Sequence, residues 1–248
     1  MIRLDWPQVN ADWIRADQVS KEWDEAKHPR DHGKFTSAGG SGADKPGVYP
    51  RADLQINVAR LAQARAVEAE CQRVFAGWDQ DTLDHVSSIE IMPHEVLNYM
   101  VGTPDMGTVG ATLPTGTRGG SQMIISSAIF DQEVVQQNRG NPEYDANPQR
   151  YTGAWTLNHE LAHAWEIRQL GKEPYADLRQ PEQVAERMQT WVGEKFTGPA
   201  LSEIMRVSDY GASAKAEAFA EAVAVYKTTG REAGPESTKV FKQLGLFK

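Results

Sequence analysis

The chain has 248 residues, 40% hydrophobic and 24% charged, with a net charge of −8. That acidic balance argues against general nucleic-acid binding, which needs clustered Lys and Arg to neutralise phosphates, and the single cysteine, Cys71, excludes an intrachain disulfide. No run approaches the roughly 18 apolar residues of a membrane span, and the N-terminus leads into no apolar signal-peptide core, so a cytoplasmic protein without membrane contact is expected.

In chain order, residues 1–27 carry Trp6, Trp13 and Trp23 among charges and read as a short helical extension, too short to fold alone. Residues 28–50 are dominated by Gly, Ser, Pro and charge and read as a flexible linker. His28 and His32 lie four apart there, but Pro29 and Gly33 oppose the continuous helix that would make them a metal-binding pair. Residues 51–248 are expected to form one domain. Leu54, Val58, Leu61, Ala64, Val67, Cys71 and Val74 recur three or four apart, which predicts one long helix over 51–77 stopped at Gly77. His85–Met92, Thr108–Leu113 and Gln122–Ser126 are short and strand-like, separated by Gly and Pro clusters. They predict a small, mainly antiparallel sheet.

Ala128–Gln137 reads as a short helix and 138–150 as a polar loop. Further helices are predicted over Thr152–Leu170, with Gly171 as its stop, Pro181–Phe196, Leu201–Val207 and Ala214–Thr228, the last stopped by Gly230. The fold class expected is therefore α+β, a small twisted sheet packed on a helical core.

His159-Glu160-Leu161-Ala162-His163 carries the chemistry. Side chains four apart on a helix point almost the same way, so both imidazoles can close on one metal ion with Glu160 beside them to handle a proton. A catalytic zinc normally takes three protein ligands. Glu166 lies on the same side of the helix, but a third ligand so close along one helix strains tetrahedral geometry. A metzincin extension would need Gly at 166 and His at 169, where this chain has Glu166 and Gln169. The better source is downstream, where Glu217 and Glu221 share a helix face flanked by the small Ala220 and Ala224, while Phe219, Val223 and Tyr226 form a separate apolar stripe. The competing reading makes both glutamates solvent-facing helix formers. Glu173, Glu186 and His94 are the remaining candidates.

HELAH followed by SDYGASAKAEAFAEAVAVY resembles gluzincin metallopeptidases of the anthrax lethal factor type, whose domains also occur in phage and toxin proteins. Tyr210, Gly211, Glu217, Phe219, Ala220 and Glu221 match that pattern in order and spacing. Where the family usually has Asn before this helix the chain has Ala214, leaving Ser213 as the expected cap. The resemblance implies a zincin-type core and a zinc-dependent endopeptidase with one Zn2+ per chain held by His159, His163 and Glu217. It implies Glu160 as the base that takes a proton from the attacking water. Tyr210 becomes a hydrogen-bond donor to the developing oxyanion, and Glu221 the acceptor for a ligand histidine's free N–H. A sheet-edge strand commonly lines the cleft in such enzymes, so Gln122, Ile124 and Ser126 are the expected substrate-binding residues for a protein or peptide that adds as a strand.

Trp23-Asp24-Glu25-Ala26-Lys27-His28-Pro29-Arg30-Asp31-His32-Gly33-Lys34-Phe35 is similar to a segment of tailed-phage head and morphogenesis proteins. It implies a phage or prophage origin, with phage particle proteins as partners through residues 1–50. The alternative function is a phage structural or assembly protein whose zincin-like domain serves as scaffold. A linker, a docking peptide and a processing site all fit this segment.

Overall fold

A computed structural model describes residues 55–58, 64–92, 94, 97, 109–115, 120–130, 152–172 and 181–248. The helical extension and linker expected over residues 1–50, and the 131–137 part of the expected short helix, lie outside the described residues. The fold is α+β. Strand β1 (Gln55–Val58) leads to α1 (Ala64–Phe75), α2 (Gln80–His85) and β2 (Val86–Met92). β3 (Gly110–Pro114) and β4 (Ser121–Ser126) follow, then a 3-10 turn at Ser127–Phe130. The helices α3 (Gly153–Gly171), α4 (Pro181–Lys195), α5 (Pro199–Met205), α6 (Lys215–Thr229) and α7 (Pro235–Gln243) complete it.

The strand order is β1-β2-β4-β3. β1 pairs in parallel with β2, β2 in parallel with β4, and β3 antiparallel with β4. The sheet is thus mixed, with two of its three pairings parallel, which corrects the mainly antiparallel expectation. The cause lies in the first expected helix. Its periodic pattern holds only over α1, while Gln55–Val58 pairs with Ser88–Ile91 as a strand. Helices α1 and α2 lie between the two strands in the chain, in the crossover that a parallel pair requires. Pairing with β2 outweighs the helical spacing of Val58.

One sheet face, with Ile89, Ile91, Met123 and Ile125, packs into a core cluster that runs from Val67 to Phe247 and includes Leu157 and Leu161 of α3. The other face carries Met92, Leu97 and Ile124 with Leu113 against them. Helix α3 is buried at every residue from Gly153 to Arg168. It begins at Thr152, whose side chain accepts from the Trp155 N–H. Its end departs from expectation, since Gly171 remains helical and Lys172 is the C-cap. Gly230 does stop α6, with φ 75°. Phe219 of α6 stacks on Trp165 of α3, with ring centroids 5.7 Å apart, and this locks the two motif helices together. The terminal helix α7 carries no signal that the periodicity exposed. Its first turn is capped from outside, by the Glu203 carboxylate of α5 accepting from Glu236 N–H, Ser237 N–H and Ser237 Oγ–H.

Candidate metal centre

Helices α3 and α6 bring the sequence-predicted residues together. His159 Nε2 lies 3.1 Å from His163 Nε2 and 3.1 Å from Glu217 Oε2, and His163 Nε2 lies 3.5 Å from the same Glu217 oxygen. All three residues are buried, and among the described residues they are the group able to hold a metal ion. Behind this front, His159 Nδ1 is 3.0 Å from Glu221 Oε1, and His163 Nδ1 is 2.9 Å from Glu166 Oε2. Carboxylates only accept, so each Nδ1 carries a proton and a neutral ring turns its Nε2 lone pair toward the other ring and Glu217. Trp155 Nε1–H also donates to Glu221 Oε1, at 3.2 Å.

A cluster of facing lone pairs and a carboxylate requires positive charge. Burial alone would lower the His159 pKa, but the Glu217 and Glu221 carboxylates outweigh it and raise it to about 9. His163 follows the same balance, with burial opposed by Glu217 and Glu166 and a net rise well above the ordinary range. Burial pushes Glu217 up, yet the two histidines hold it far below the usual carboxylate range. The protein therefore favours cations at this point, whether protons on the imidazoles or a metal between them.

Glu160 sits beside the cluster and against β3. Its Oε2 accepts from Thr112 Oγ1–H at 2.7 Å. Burial raises its pKa, partly opposed by His159 and His163. Gly110, two residues along the same strand face, leaves room for the carboxylate, since a Cβ there would stand 2.5 Å from Glu160 Oε1. A glycine and a threonine at alternate positions of β3 thus shape the space around Glu160. Neither was legible beforehand, because the pairing of a strand with a helix distant in sequence leaves no local spacing signal.

Tyr210 precedes a 3-10 turn, Gly211–Ser213. Its ring centroid is 6.0 Å from that of His159, and the residue is 44% exposed. Its hydroxyl end is held well above the ordinary phenol range by burial and by the nearby Glu217 and Glu160 carboxylates. Ser213 does not cap α6, because its hydroxyl donates to the Tyr210 carbonyl at 2.6 Å. The cap comes from α4, where Gln189 Oε1 accepts from Lys215 N–H at 2.6 Å and Ala216 N–H at 3.2 Å. That tertiary cap replaces the side chain missing at Ala214 and sets the turn that carries Glu217.

The expected substrate strand is corrected. β4 lies between β2 and β3, so both of its edges are already paired. Ile124 packs in the cluster on the sheet face away from α3, and Gln122 and Ser126 alternate onto that same face. Gln122 Nε2–H donates to Glu90 there, and Ser126 Oγ lies 3.2 Å from His94 Nδ1. Among the described residues, the unpaired edge next to α3 belongs to β3. Val109 O and Thr115 N bond toward β4, so by the alternation of an antiparallel ladder the main chains of Gly110 and Thr112 face outward. Of the reserve ligands, Glu186 is exposed on α4 and Glu173 lies outside the described residues. No helix among the described residues is long and apolar enough to cross a membrane. Compared with family models, curated proteins and solved structures, the chain matches none of them.

Proposed function

We propose that this protein is a zinc-dependent endopeptidase of the zincin type, with one Zn2+ held by His159, His163 and Glu217. The observation that carries the reading is the set of three ligand atoms facing one another at 3.1–3.5 Å with both Nδ1 atoms already committed to carboxylates. Ligands bound at about 2.0–2.1 Å around a tetrahedral ion stand roughly 3.3–3.4 Å apart, so the spacing suits zinc. A His2Glu set leaves a fourth position, as catalytic zinc sites do.

Zinc, when bound, would polarise a peptide carbonyl and acidify a water. Glu160 takes a proton through Oε1, the oxygen beside Gly110, and delivers it to the leaving amine. Thr112 holds Oε2 and so fixes the direction of that transfer. Tyr210 donates from the open side to the oxygen on which charge develops. A substrate segment pairs with the outward main chain of Gly110 and Thr112. Pro114, the next outward position, has no N–H to offer, which limits the ladder to a short stretch.

The test compares wild type with Glu160→Gln on zinc-loaded protein, using unfolded casein as substrate. Wild type should cleave and lose activity to a chelator. The variant should keep its zinc and turn over about 10²–10⁴-fold more slowly. Equal, chelator-insensitive cleavage by both proteins overturns the enzyme reading.

A further inference from the structure

Arg168 and Glu166 are both buried charged residues on α3, yet only Arg168 serves the packing. Its guanidinium ties α3 to α2 through Asp79, Asp81 and Thr82. Among the described residues Glu166 ties α3 to no other element. It is 1% exposed, its one hydrogen bond among the described residues is to His163, three residues away on its own helix, and its second oxygen, Oε1, has no hydrogen-bond partner. A buried carboxylate without a matched partner weakens the fold, and among the described residues this one links no two elements, so its presence needs another reason.

We infer that Glu166 is a positioning residue for the metal centre, holding His163 by its Nδ1–H so that Nε2 faces the ion. This rests on the zinc reading given above. Glutamate suits the task where glutamine does not. A carboxylate only accepts, so it forces the proton onto Nδ1 and leaves Nε2 free to ligate. A glutamine amide can accept from Nδ1–H or donate to a bare Nδ1, and the second choice puts the proton on Nε2, where it blocks the metal. The carboxylate also makes the ring a stronger donor. Each ligand histidine then has its own carboxylate. For His159 it is Glu221 on the neighbouring helix, shared with Trp155. For His163 it is Glu166 on the same helix, shared with no other residue among those described.

The experiment measures Zn2+ affinity of the full chain by competition with a chromogenic chelator at pH 8, with thermal unfolding of the metal-free chain alongside. Glu166→Gln should weaken zinc binding about 10- to 100-fold and leave the metal-free Tm at or above its wild-type value. Arg168→Met is the reference for a structural charge, and should lower that Tm while keeping wild-type zinc affinity. Wild-type affinity in Glu166→Gln overturns the inference and leaves the zinc centre standing. So does a weakening matched by a fall in metal-free Tm of the size that Arg168→Met shows. If wild type itself takes up no zinc, the zinc centre and this inference fall together.

Discussion

Helix α3 carries two buried polar clusters little more than a turn apart, and they obey different rules. Around Arg168, one guanidinium meets Asp79 Oδ1 at 2.9 Å, Asp81 Oδ2 at 2.9 Å and Thr82 Oγ1 at 3.0 Å. The two acids lie toward solvent, so cation and anions meet where the dielectric is forgiving. Around His159 and His163, four carboxylates and two imidazoles are gathered. A cluster that serves the fold matches its own donors and acceptors. The second cluster keeps an excess of acceptors pointed at a single place, an arrangement that could hold a metal ion.

The largest break in this contrast should come from Glu217→Ala. Structural zinc binding worth about 10–16 kcal/mol over four ligands implies roughly 2.5–4 kcal/mol for each, so affinity should fall about 100- to 1,000-fold, read by chelator competition. One zinc per chain retained at wild-type affinity would move the third ligand elsewhere. Thr112→Val comes next. Removing a hydrogen bond to a charged group costs about 1.5–3 kcal/mol, so kcat on casein should drop about 10- to 100-fold with zinc content unchanged, and Thr112→Ser should restore most of it. Arg168→Met tests the self-satisfied cluster. Because Asp79 and Asp81 are largely solvated, the loss should be only about 1–2 kcal/mol in denaturant unfolding.

The smallest effect is in pH. In the metal-free chain the folded His159 pKa, about 9, is raised above its ordinary 6.5. Its contribution to stability is therefore full below pH 6.5 and lost as pH rises through 9. Glu166, raised from 4.5 to about 7, acts in the same direction at lower pH. The metal-free Tm should fall between pH 6.5 and 9, and the Tm gain on adding zinc should widen over the same interval, since the metal competes with those protons. A flat difference between the two curves would mean that the histidines hold no protons without metal.

The residues in front of the metal position were legible because their relations are local. His159 with His163, and Glu217 with Glu221, are four apart on strongly patterned helices, so a shared face follows from the helical repeat alone. The resemblance added that the two pairs belong together. What stands behind and beside them was not legible. Glu166 was visible by spacing, but its carboxylate lies on the Nδ1 side of His163, and no repeat reveals which side of a ring a neighbour occupies. Gln189 caps α6 from a different helix, and Gly110 and Thr112 reach Glu160 from a strand some 48 residues earlier.

The fold divides in the same way. Helices α3, α4 and α6 were bounded to within a residue or so by capping residues and apolar spacing, both of which act within a few residues along the chain. β1 was hidden inside a helical pattern, and β4 was mistaken for an edge, because a strand's neighbours are chosen by hydrogen bonding to distant segments. Sequence alone determined the ligand pairs and the helices that hold them, through the geometry of one turn. Only tertiary structure decided which strand borders Glu160, which carboxylate stands behind each histidine, and how lone pairs from two helices come to face one another. Those relations arise only when packing has brought α3, α6 and β3 together.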